Sequence, residues 1–227
     1  MMKNVAILLA GGNGSRMKSN VPKQYMEIEG RTVLFYSLKQ FQDCSFIDEI
    51  ILVTRAEDVE ACKKEYALPK VSHIVAGGSE RYESVMNGLS HVNENGYVFI
   101  HDGARPCVTN GSLQKLYEDV IKYKAAVLAV KSKDTVRISD DNGNAVMTPA
   151  RSNVWLIQTP QAFDTALIRQ AYSDLKSKGT DKTITDDAMV AEEFTDVKIH
   201  LTEGEYTNIK ITTPEDLRAV KDFLKKS

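Results

Sequence analysis

The chain has 227 residues, 42% of them hydrophobic and 26% charged, with a formal net charge of −2 at pH 7. This length and composition predict one globular domain with a sizeable core. The near-neutral charge argues against general nucleic-acid binding and against a polybasic membrane surface. No apolar run approaches the ~20 residues of a membrane span, and the N-terminus opens with a strand pattern in place of a signal helix, so we expect a cytoplasmic protein. Cys44, Cys62 and Cys107 are odd in number and far apart, which predicts free thiols.

Apolar runs alternate with amphipathic stretches over the first 130 residues. Strands are predicted at 5–10, 49–54, 71–76, 97–101 and 125–130, with helices between them at 32–42, 56–66, 80–92 and 110–123. The strands are apolar on both faces, which is typical of buried parallel strands. We therefore predict an α/β fold with a mostly parallel, Rossmann-like sheet and helices on both faces. Ligand loops are expected at the carboxyl ends of its strands.

The pattern changes after Lys131. Residues 134–139 and 145–148 are predicted to pair around an Asn-Gly turn, as a β-hairpin arm inserted at about 133–152 in a single domain of residues 1–227. Spacing alone favours a surface hairpin without function, although such an arm often reaches a second subunit. The remaining predicted elements are a strand at 154–158, helices at 164–176 and 185–194 (capped by Thr185), strands at 197–201 and 208–211, and a last helix opening at Thr213-Pro214.

The stretch from Leu8 to Gln24, LLAGGNGSRMKSNVPKQ, contains a glycine loop directly after the first strand. Glycines at a strand end let backbone N–H groups approach a ligand, and cations just beyond can neutralise phosphate. We interpret it as a nucleotide triphosphate loop. The alternative is a glycine turn without a ligand, and the added residues favour function: Arg16, Pro22, Lys23 and Gln24.

Two well-known phosphate loops do not match this stretch. The P-loop requires Lys-Ser or Lys-Thr after a glycine at a fixed spacing, which is missing here. The dinucleotide fingerprint begins correctly at Gly12 and Gly14, but Met17 occupies the third glycine position. NAD binding is therefore a weak alternative.

Further polar clusters follow the other predicted strands. The second glycine turn, GGSER at 77–81, can hold a base or ribose or can be a simple βα turn. Asp102 can bind Mg²⁺ or a sugar hydroxyl, and Arg105 can pair with that carboxylate or with a phosphate. His101 is expected to be structural. Thr159 and Thr185 have hydroxyls suited to phosphate, although capping is a strong alternative for Thr185.

Lys210 lies at the end of an apolar pair, which favours a ligand role over a solvated lysine. The sequence contains no serine-hydrolase elbow, no paired metal-type histidines and no Cys-His arrangement. Cations, glycine turns, threonine hydroxyls and one well-placed Asp suit phosphoryl or nucleotidyl transfer, which depends on positioning and charge neutralisation.

Taken in order, these motifs resemble the 2-C-methyl-D-erythritol 4-phosphate cytidylyltransferase family over nearly the whole chain. They are the glycine loop, PKQ at 22–24, GSER at 78–81, HDGARP at 101–106, DT at 134–135, TPQAF at 159–163, TDDA at 185–188 and NIKIT at 208–212. Relatives that activate ribitol 5-phosphate share much of this set. Ala10-Gly11-Gly12 is closer to those relatives, and Arg137 stands where the family's arm motif commonly has a lysine. HDGARP, Arg151 and TDDA are closer to the methylerythritol group.

The resemblance implies a cytidylyltransferase that uses CTP and Mg²⁺ and forms a homodimer through the arm. It implies catalytic roles for Arg16, Lys23, Lys210 and Arg151. The implied nucleotide-binding residues are Ala10, Gly11, Gly12, Gly14, Gly78, Ser79, Ser84, Asp102 and Gly103. The implied acceptor-binding residues are Asp102, Arg105, Thr135, Arg151, Thr159 and Thr185, with Asp102 also as the metal ligand.

Two alternatives to this function stay open from the sequence. The first is a ribitol 5-phosphate cytidylyltransferase serving wall or capsule polymers, which differs in its acceptor. The second is a nucleotide-binding module without turnover. The converging cations Arg16, Lys23 and Lys210 argue against the second alternative, because a pure binder needs fewer of them.

Overall fold

The computed structural model of the chain describes residues 2–12, 21–93 and 95–225. Its strands are β1 (Lys3–Leu9), β2 (Glu27–Ile28), β3 (Arg31–Thr32), β4 (Glu49–Thr54), β5 (Val71–Ala76), β6 (Gly96–Asp102), β7 (Ala125–Lys131), β8 (Ile138–Ser139), β9 (Ala145–Met147), β10 (Trp155–Asp164) and β11 (His200–Glu203). Its α-helices are α1 (Val33–Asp43), α2 (Val59–Glu65), α3 (Arg81–Leu89), α4 (Asn110–Tyr123), α5 (Thr165–Lys178), α6 (Asp187–Phe194) and α7 (Pro214–Leu224). None of these helices is long and apolar enough to cross a membrane.

Seven strands form the central sheet in the order β11-β7-β10-β6-β1-β4-β5. Every neighbouring pair is parallel except the two pairs that involve β10, which runs antiparallel to both β6 and β7. The carboxyl ends of the parallel strands and the amino end of β10 therefore lie at one edge of the sheet. The mostly parallel α/β fold predicted from the sequence is confirmed.

Alternation along each strand builds two core layers. In β1, Val5 and Ile7 join one buried cluster, whereas Ala6 and Leu8 join the other, because successive side chains point to opposite faces. Residues of α1, α2 and α4 pack on the Leu8 face, and residues of α3, α5 and α6 pack on the Ile7 face. Helices thus cover both faces, as predicted, and burial on both sides explains the continuous apolar runs of the strands.

The hairpin arm is present, but its paired segments are shorter than predicted. Only Ile138–Ser139 pairs with Ala145–Met147, across a turn in which the Asp140 carboxylate accepts from the backbone N–H groups of Asn142 and Asn144. Gly143 adopts a φ of +83°, which a glycine tolerates without strain. Nearly every residue from 133 to 152 is exposed, so the arm has almost no core of its own.

Several predicted boundaries are wrong for identifiable reasons. Residues 208–211 do not form a strand, because local bonds from the N–H groups of Asn208 and Ile209 to Glu205 and Thr207 turn the backbone. The last sheet strand is His200–Glu203, later than the predicted 197–201. The strand predicted at 154–158 continues through Asp164, since its second half pairs with both β6 and β7.

One predicted helix start needs correction as well. The cap of α6 is Asp186, whose carboxylate accepts from Met189 N, and Thr185 lies one residue before it. The helix α4 begins at Asn110, as predicted, and Thr109 caps it. Thr213 and Asp216 form the reciprocal capping box of α7, with Pro214 at its first position as predicted.

Candidate active site

A cavity of about 260 Å³ lies at the carboxyl edge, where the ends of β1, β5 and β6 meet. Most of the residues predicted to bind the nucleotide line it: Ala10, Gly11, Gly12, Lys23, Gly78, Ser79, Ser84, Asp102 and Lys210. Gly103 does not line it. Its N–H donates to the Leu9 carbonyl, and a Cβ at this position would lie 2.9 Å from the Leu34 side chain, so this glycine permits close packing beneath the loop.

The second glycine turn requires its glycine at position 78. A Cβ there would lie 2.3 Å from Glu83 Cβ. Because that atom is next to the backbone, a side-chain rotation of Glu83 cannot remove the clash. The Glu83 carboxylate accepts from Ser79 N at 2.8 Å, from Ser79 Oγ at 2.6 Å and from Glu80 N at 3.1 Å. The hydroxyl of Ser84 accepts from Gly78 N at 3.1 Å. The turn is therefore held by its own helix and presents its backbone to the cavity.

Asp102 is the negative centre of the site, and three cations surround it. Its Oδ2 lies 2.8 Å from Lys210 Nζ and 4.0 Å from Arg105 Nε, and its Oδ1 lies 3.5 Å from Arg81 Nε. Burial alone would raise the pKa of Asp102, but the charges of Arg81, Lys210 and Arg105 outweigh that effect and hold the pKa well below its usual range. The carboxylate is therefore ionised at physiological pH and is surrounded by three cations.

A hydrogen-bond chain fixes Asp102 from behind. His101 Nε2 lies 3.0 Å from the Arg105 carbonyl, which can only accept, so Nε2 carries the proton. Nδ1 then accepts from the hydroxyl of Thr159 at 3.1 Å, and that hydroxyl accepts from Asp102 N at 3.0 Å. Burial lowers the pKa of His101 to about 4, so the ring stays neutral. His101 is structural, in agreement with the sequence, and the hydroxyl hydrogen of Thr159 is directed at the protein.

A second network joins α3 to α6. The Arg81 guanidinium binds the Asp187 carboxylate through two bonds of 3.0 and 2.8 Å, and Tyr172 OH donates to the same carboxylate at 2.6 Å. Gln161 Oε1 accepts from the N–H groups of Asp187 and Ala188 at the start of α6, at 3.0 and 2.9 Å. Asp187 is fully buried, so its pairing with Arg81 compensates a charge that would otherwise be costly.

The segment that presents Lys210 is anchored to two neighbours, the loop after β6 and the strand β10. Arg105 donates to the Asn208 carbonyl at 2.8 Å, and Asn208 Nδ2 donates to the Thr159 carbonyl at 2.9 Å. Gln158 Nε2 donates to the Glu205 carbonyl at 2.8 Å. These bonds replace the ladder of the predicted strand, and they place the ammonium of Lys210 against Asp102.

A second cavity of about 220 Å³ adjoins the first. Its walls include Arg105, Thr159 and Thr185, all predicted to hold an acceptor phosphate, and also Gln158 and Asp186. Arg81, Asp102 and Lys210 line both cavities. These three side chains therefore form the boundary at which ligands in the two cavities would meet.

Several predicted residues do not join this cluster. Thr135 and Arg151 lie exposed on the arm, outside both cavities, and Arg151 Nη1 donates to the Lys133 carbonyl at 3.3 Å. Gly14 and Arg16 lie outside the described residues. Conversely, no role was predicted from the sequence for Arg81, Gln161 or Asp187, and Gln24 was counted only among the residues that favour a functional loop. The available signal was only that each stands within a motif of the ordered set.

A parallel sheet with a glycine loop, a glycine turn and an ionised carboxylate among cations at its carboxyl edge defines a nucleotidyltransferase. The IspD family model, described as 2-C-methyl-D-erythritol 4-phosphate cytidylyltransferase, matches residues 4–226. The chain belongs to this family, and the resemblance noted in the sequence is thereby confirmed. Its enzyme class is that of the CTP-dependent cytidylyltransferases.

Curated relatives and solved structures agree with that placement. A 2-C-methyl-D-erythritol 4-phosphate cytidylyltransferase of Lachnospira eligens is 46% identical over 98% of this chain and 99% of its own length. The protein of that name from Lachnoclostridium phytofermentans is 48% identical over 96% of this chain and 94% of its own. The crystal structure of 4-diphosphocytidyl-2C-methyl-D-erythritol synthase from Anaerococcus prevotii superposes with a TM-score of 0.86 at 36% identity, covering 99% of both chains.

Proposed function

We propose that this chain transfers the cytidylyl group of CTP to 2-C-methyl-D-erythritol 4-phosphate, releasing pyrophosphate and supplying an isoprenoid precursor. The observation that supports it most directly is the pair of adjoining cavities that share Arg81, Asp102 and Lys210. CTP would occupy the first cavity, with its base and ribose at Gly78, Ser79 and Ser84. The acceptor would occupy the second cavity, beside Arg105 and Thr185.

The reaction joins the two ligands at that boundary. An oxygen of the acceptor phosphate attacks the α-phosphorus, the bond from that phosphorus to the α,β-bridging oxygen breaks, and the electron pair leaves with pyrophosphate. Lys23 and Lys210 neutralise the charge that grows on the phosphoryl oxygens, which is the main contribution a protein makes to such transfers. Arg16 is predicted to act with them.

The Mg²⁺ predicted from the resemblance fits one mode of binding. Asp102 offers a single ionised carboxylate, and within the ranges 2–12, 21–93 and 95–225 no group of three acidic, His or Cys side chains comes together. Magnesium commonly uses one or two carboxylates together with substrate phosphates and water. Asp102 would hold such an ion, which would supply further neutralisation of the triphosphate.

We also propose that the arm joins two copies of the chain into a homodimer. Ile138, Val146 and Met147 are 45%, 62% and 52% exposed on it. Leu156 and Ile157 on β10 are 51% and 42% exposed, and Ile157 also lines the second cavity. Exposed apolar patches of this kind mark association surfaces. A partner's arm lying on that surface would bring a second copy of Arg151 and Thr135 to the acceptor phosphate.

The test is pyrophosphate release from CTP and Mg²⁺, with methylerythritol phosphate and ribitol 5-phosphate supplied in parallel. We expect turnover with methylerythritol phosphate. Turnover with ribitol 5-phosphate alone would move the enzyme to polymer-precursor synthesis and direct attention to Gly11 and Arg137. CTP binding without turnover of either acceptor would favour a non-catalytic module. Cytoplasmic location stays a prediction.

A further inference from the structure

Gln24 is a buried side chain to which neither the reaction nor the family match gives a role. It is 2% exposed and belongs to a short 3-10 turn, Lys23–Tyr25, which also contains the cation Lys23. Its amide nitrogen donates to the Ala10 carbonyl at 2.7 Å and to the Gly12 carbonyl at 3.0 Å. Both amide hydrogens are therefore used on the two sides of Gly11.

These bonds determine which backbone groups the loop can present to an anion. Carbonyl oxygens repel phosphate, whereas N–H groups attract it. In a trans peptide the C=O and the following N–H point in opposite directions, so a fixed Ala10 carbonyl also fixes the N–H of Gly11. Within the described ranges, no group accepts a hydrogen bond from the N–H of Gly11 or Gly12.

The turn has its own anchors, so it can act as a rigid support. Tyr25 N donates to the Pro22 carbonyl, and Tyr25 OH lies 2.6 Å from Thr54 Oγ1 at the end of β4. Ala10 N donates to the Val53 carbonyl at 2.7 Å on the same strand. The glycine loop and the 3-10 turn are thus both anchored to the end of β4. The side-chain amide of Gln24 joins the loop to the turn at the wall of the cavity.

We propose that Gln24 is a positioning residue for the nucleotide, which holds the Ala10 and Gly12 carbonyls away from the triphosphate and keeps Lys23 in register with the loop. The inference rests on the proposed function, because it requires a nucleotide triphosphate in the first cavity. It assigns to Gln24 an effect on CTP and none on the acceptor, which lies in the other cavity.

The test compares Gln24→Glu and Gln24→Met with wild type, and uses Gln114→Glu on the exposed face of α4 as the matched control. Isothermal titration with CTP and steady-state kinetics for both substrates are measured. We expect the Kd and KM for CTP to rise roughly 10- to 100-fold in both Gln24 variants, since two hydrogen bonds are lost. The KM for the acceptor should match wild type in both Gln24 variants. In the control variant, the Kd and both KM values should match wild type.

The pH dependence separates positioning from general damage. A Glu at position 24 faces two carbonyls, which raises its pKa, and its protonated form again has one hydrogen to donate. The CTP affinity of Gln24→Glu, taken relative to wild type at the same pH, should recover on acidification, whereas that of Gln24→Met should not. The charged groups lining the same cavity are present in all variants: Lys23, Glu80, Arg81, Asp102 and Lys210.

Variants that fold and bind CTP like wild type would overturn the proposal. If both Gln24 variants fail to fold, the wild-type protein decides: the side-chain amide protons of Gln24, observed by ¹⁵N-edited NMR, should exchange with solvent more slowly than those of Gln114. Equal exchange would overturn the proposal. A wild-type protein that binds no CTP would instead refute the proposed function.

Discussion

The carboxyl edge of the sheet and the hairpin arm differ in the environment of their charged residues, which are paired around buried carboxylates at the edge and exposed on the arm. At the edge, Asp102 is 8% exposed, and its charge is balanced by Arg81, Arg105 and Lys210. On the arm, Arg151 is exposed and donates to the backbone carbonyl of Lys133 at 3.3 Å. The edge has its geometry within a single chain, whereas the arm holds its charge in solvent.

The difference teaches where each region obtains its order. At the edge, Arg81, Arg105 and Lys210 each have a buried carboxylate as partner, so their arrangement is pre-organised before any ligand arrives. Among the residues that the structure describes, the charged side chains of the arm have no buried partner, and its apolar side chains Ile138, Val146 and Met147 are exposed as well. Perturbing the edge should therefore affect both activity and stability, and perturbing the arm should affect activity alone.

The largest effect is expected from Lys210→Ala. It removes the ammonium 2.8 Å from Asp102, at the boundary of the two cavities. Without that charge kcat should fall roughly 100- to 1,000-fold, as measured by pyrophosphate release, while the far-UV spectrum stays that of wild type. Lys178→Ala at the exposed end of α5 is the control. An unchanged kcat would show that neutralisation at this edge does not depend on Lys210.

Asp187→Asn should have the next largest effect, and mainly on stability. The change leaves the charge of Arg81 without its nearest partner and should lower the free energy of unfolding by about 3 kcal/mol, measured by urea denaturation. KM should also rise, because Arg81 lines both cavities. Asp174→Asn at the surface of α5 should cost far less. Equal losses of unfolding free energy in the two variants would show that the Arg81–Asp187 pair contributes no more to stability than a surface pair.

Arg151→Ala should lower kcat about 10-fold, because one charged hydrogen bond to the acceptor is lost, and should leave the unfolding transition unchanged. Mixing it with Lys210→Ala provides a sharper test. If each site takes its arm from the other copy, a mixed dimer has one intact site, and an equal mixture should reach about a quarter of the wild-type rate. A mixture no more active than its components would place Arg151 in its own chain's site or outside any site.

At neutral pH the smallest effect is that of His101, because its contribution to the pH dependence of stability appears only in acid. Its folded pKa of about 4 lies below the unfolded value of 6.5, so the unfolded chain takes up the extra proton. The stability due to the neutral ring is complete above pH 6.5 and is lost as the pH falls towards 4, by up to about 1.4 kcal/mol per pH unit. Denaturation of His101→Gln across that window should show a shallower slope. An identical slope would mean that His101 does not titrate on unfolding.

Most of the fold could be predicted because it depends on local pattern. Hydrophobic periodicity indicates the buried strands and the amphipathic helices. Asp102 and Lys210 can be recognised because they are charges beside apolar runs. The cap of α6 could not be chosen with the same certainty. Thr185, Asp186 and Asp187 can all cap a helix, and only the tertiary bond between Gln161 and Asp186 selects the middle one.

The long-range parts of the site are the ones that sequence reasoning missed. Arg81 and Asp187 are 106 residues apart, so no local pattern indicates that they pair. Gln24 was recognisable as part of a motif, but its role depends on which carbonyls lie within reach of its amide. The arm's function likewise depends on a surface that its own sequence does not describe.

The three buried cysteines can report local opening of the structure. Cys44, Cys62 and Cys107 are 3%, 2% and 8% exposed, and burial raises the pKa of each thiol, that of Cys107 to about 12. Since only an accessible thiolate is alkylated, each reacts at a rate set by local opening. Cys62 contacts Tyr25 behind the glycine loop, and Cys107 packs with Ile211 beneath the Lys210 segment. The alkylation rates of Cys62 and Cys107 in the unmodified chain should therefore report how often the glycine loop and the Lys210 segment open.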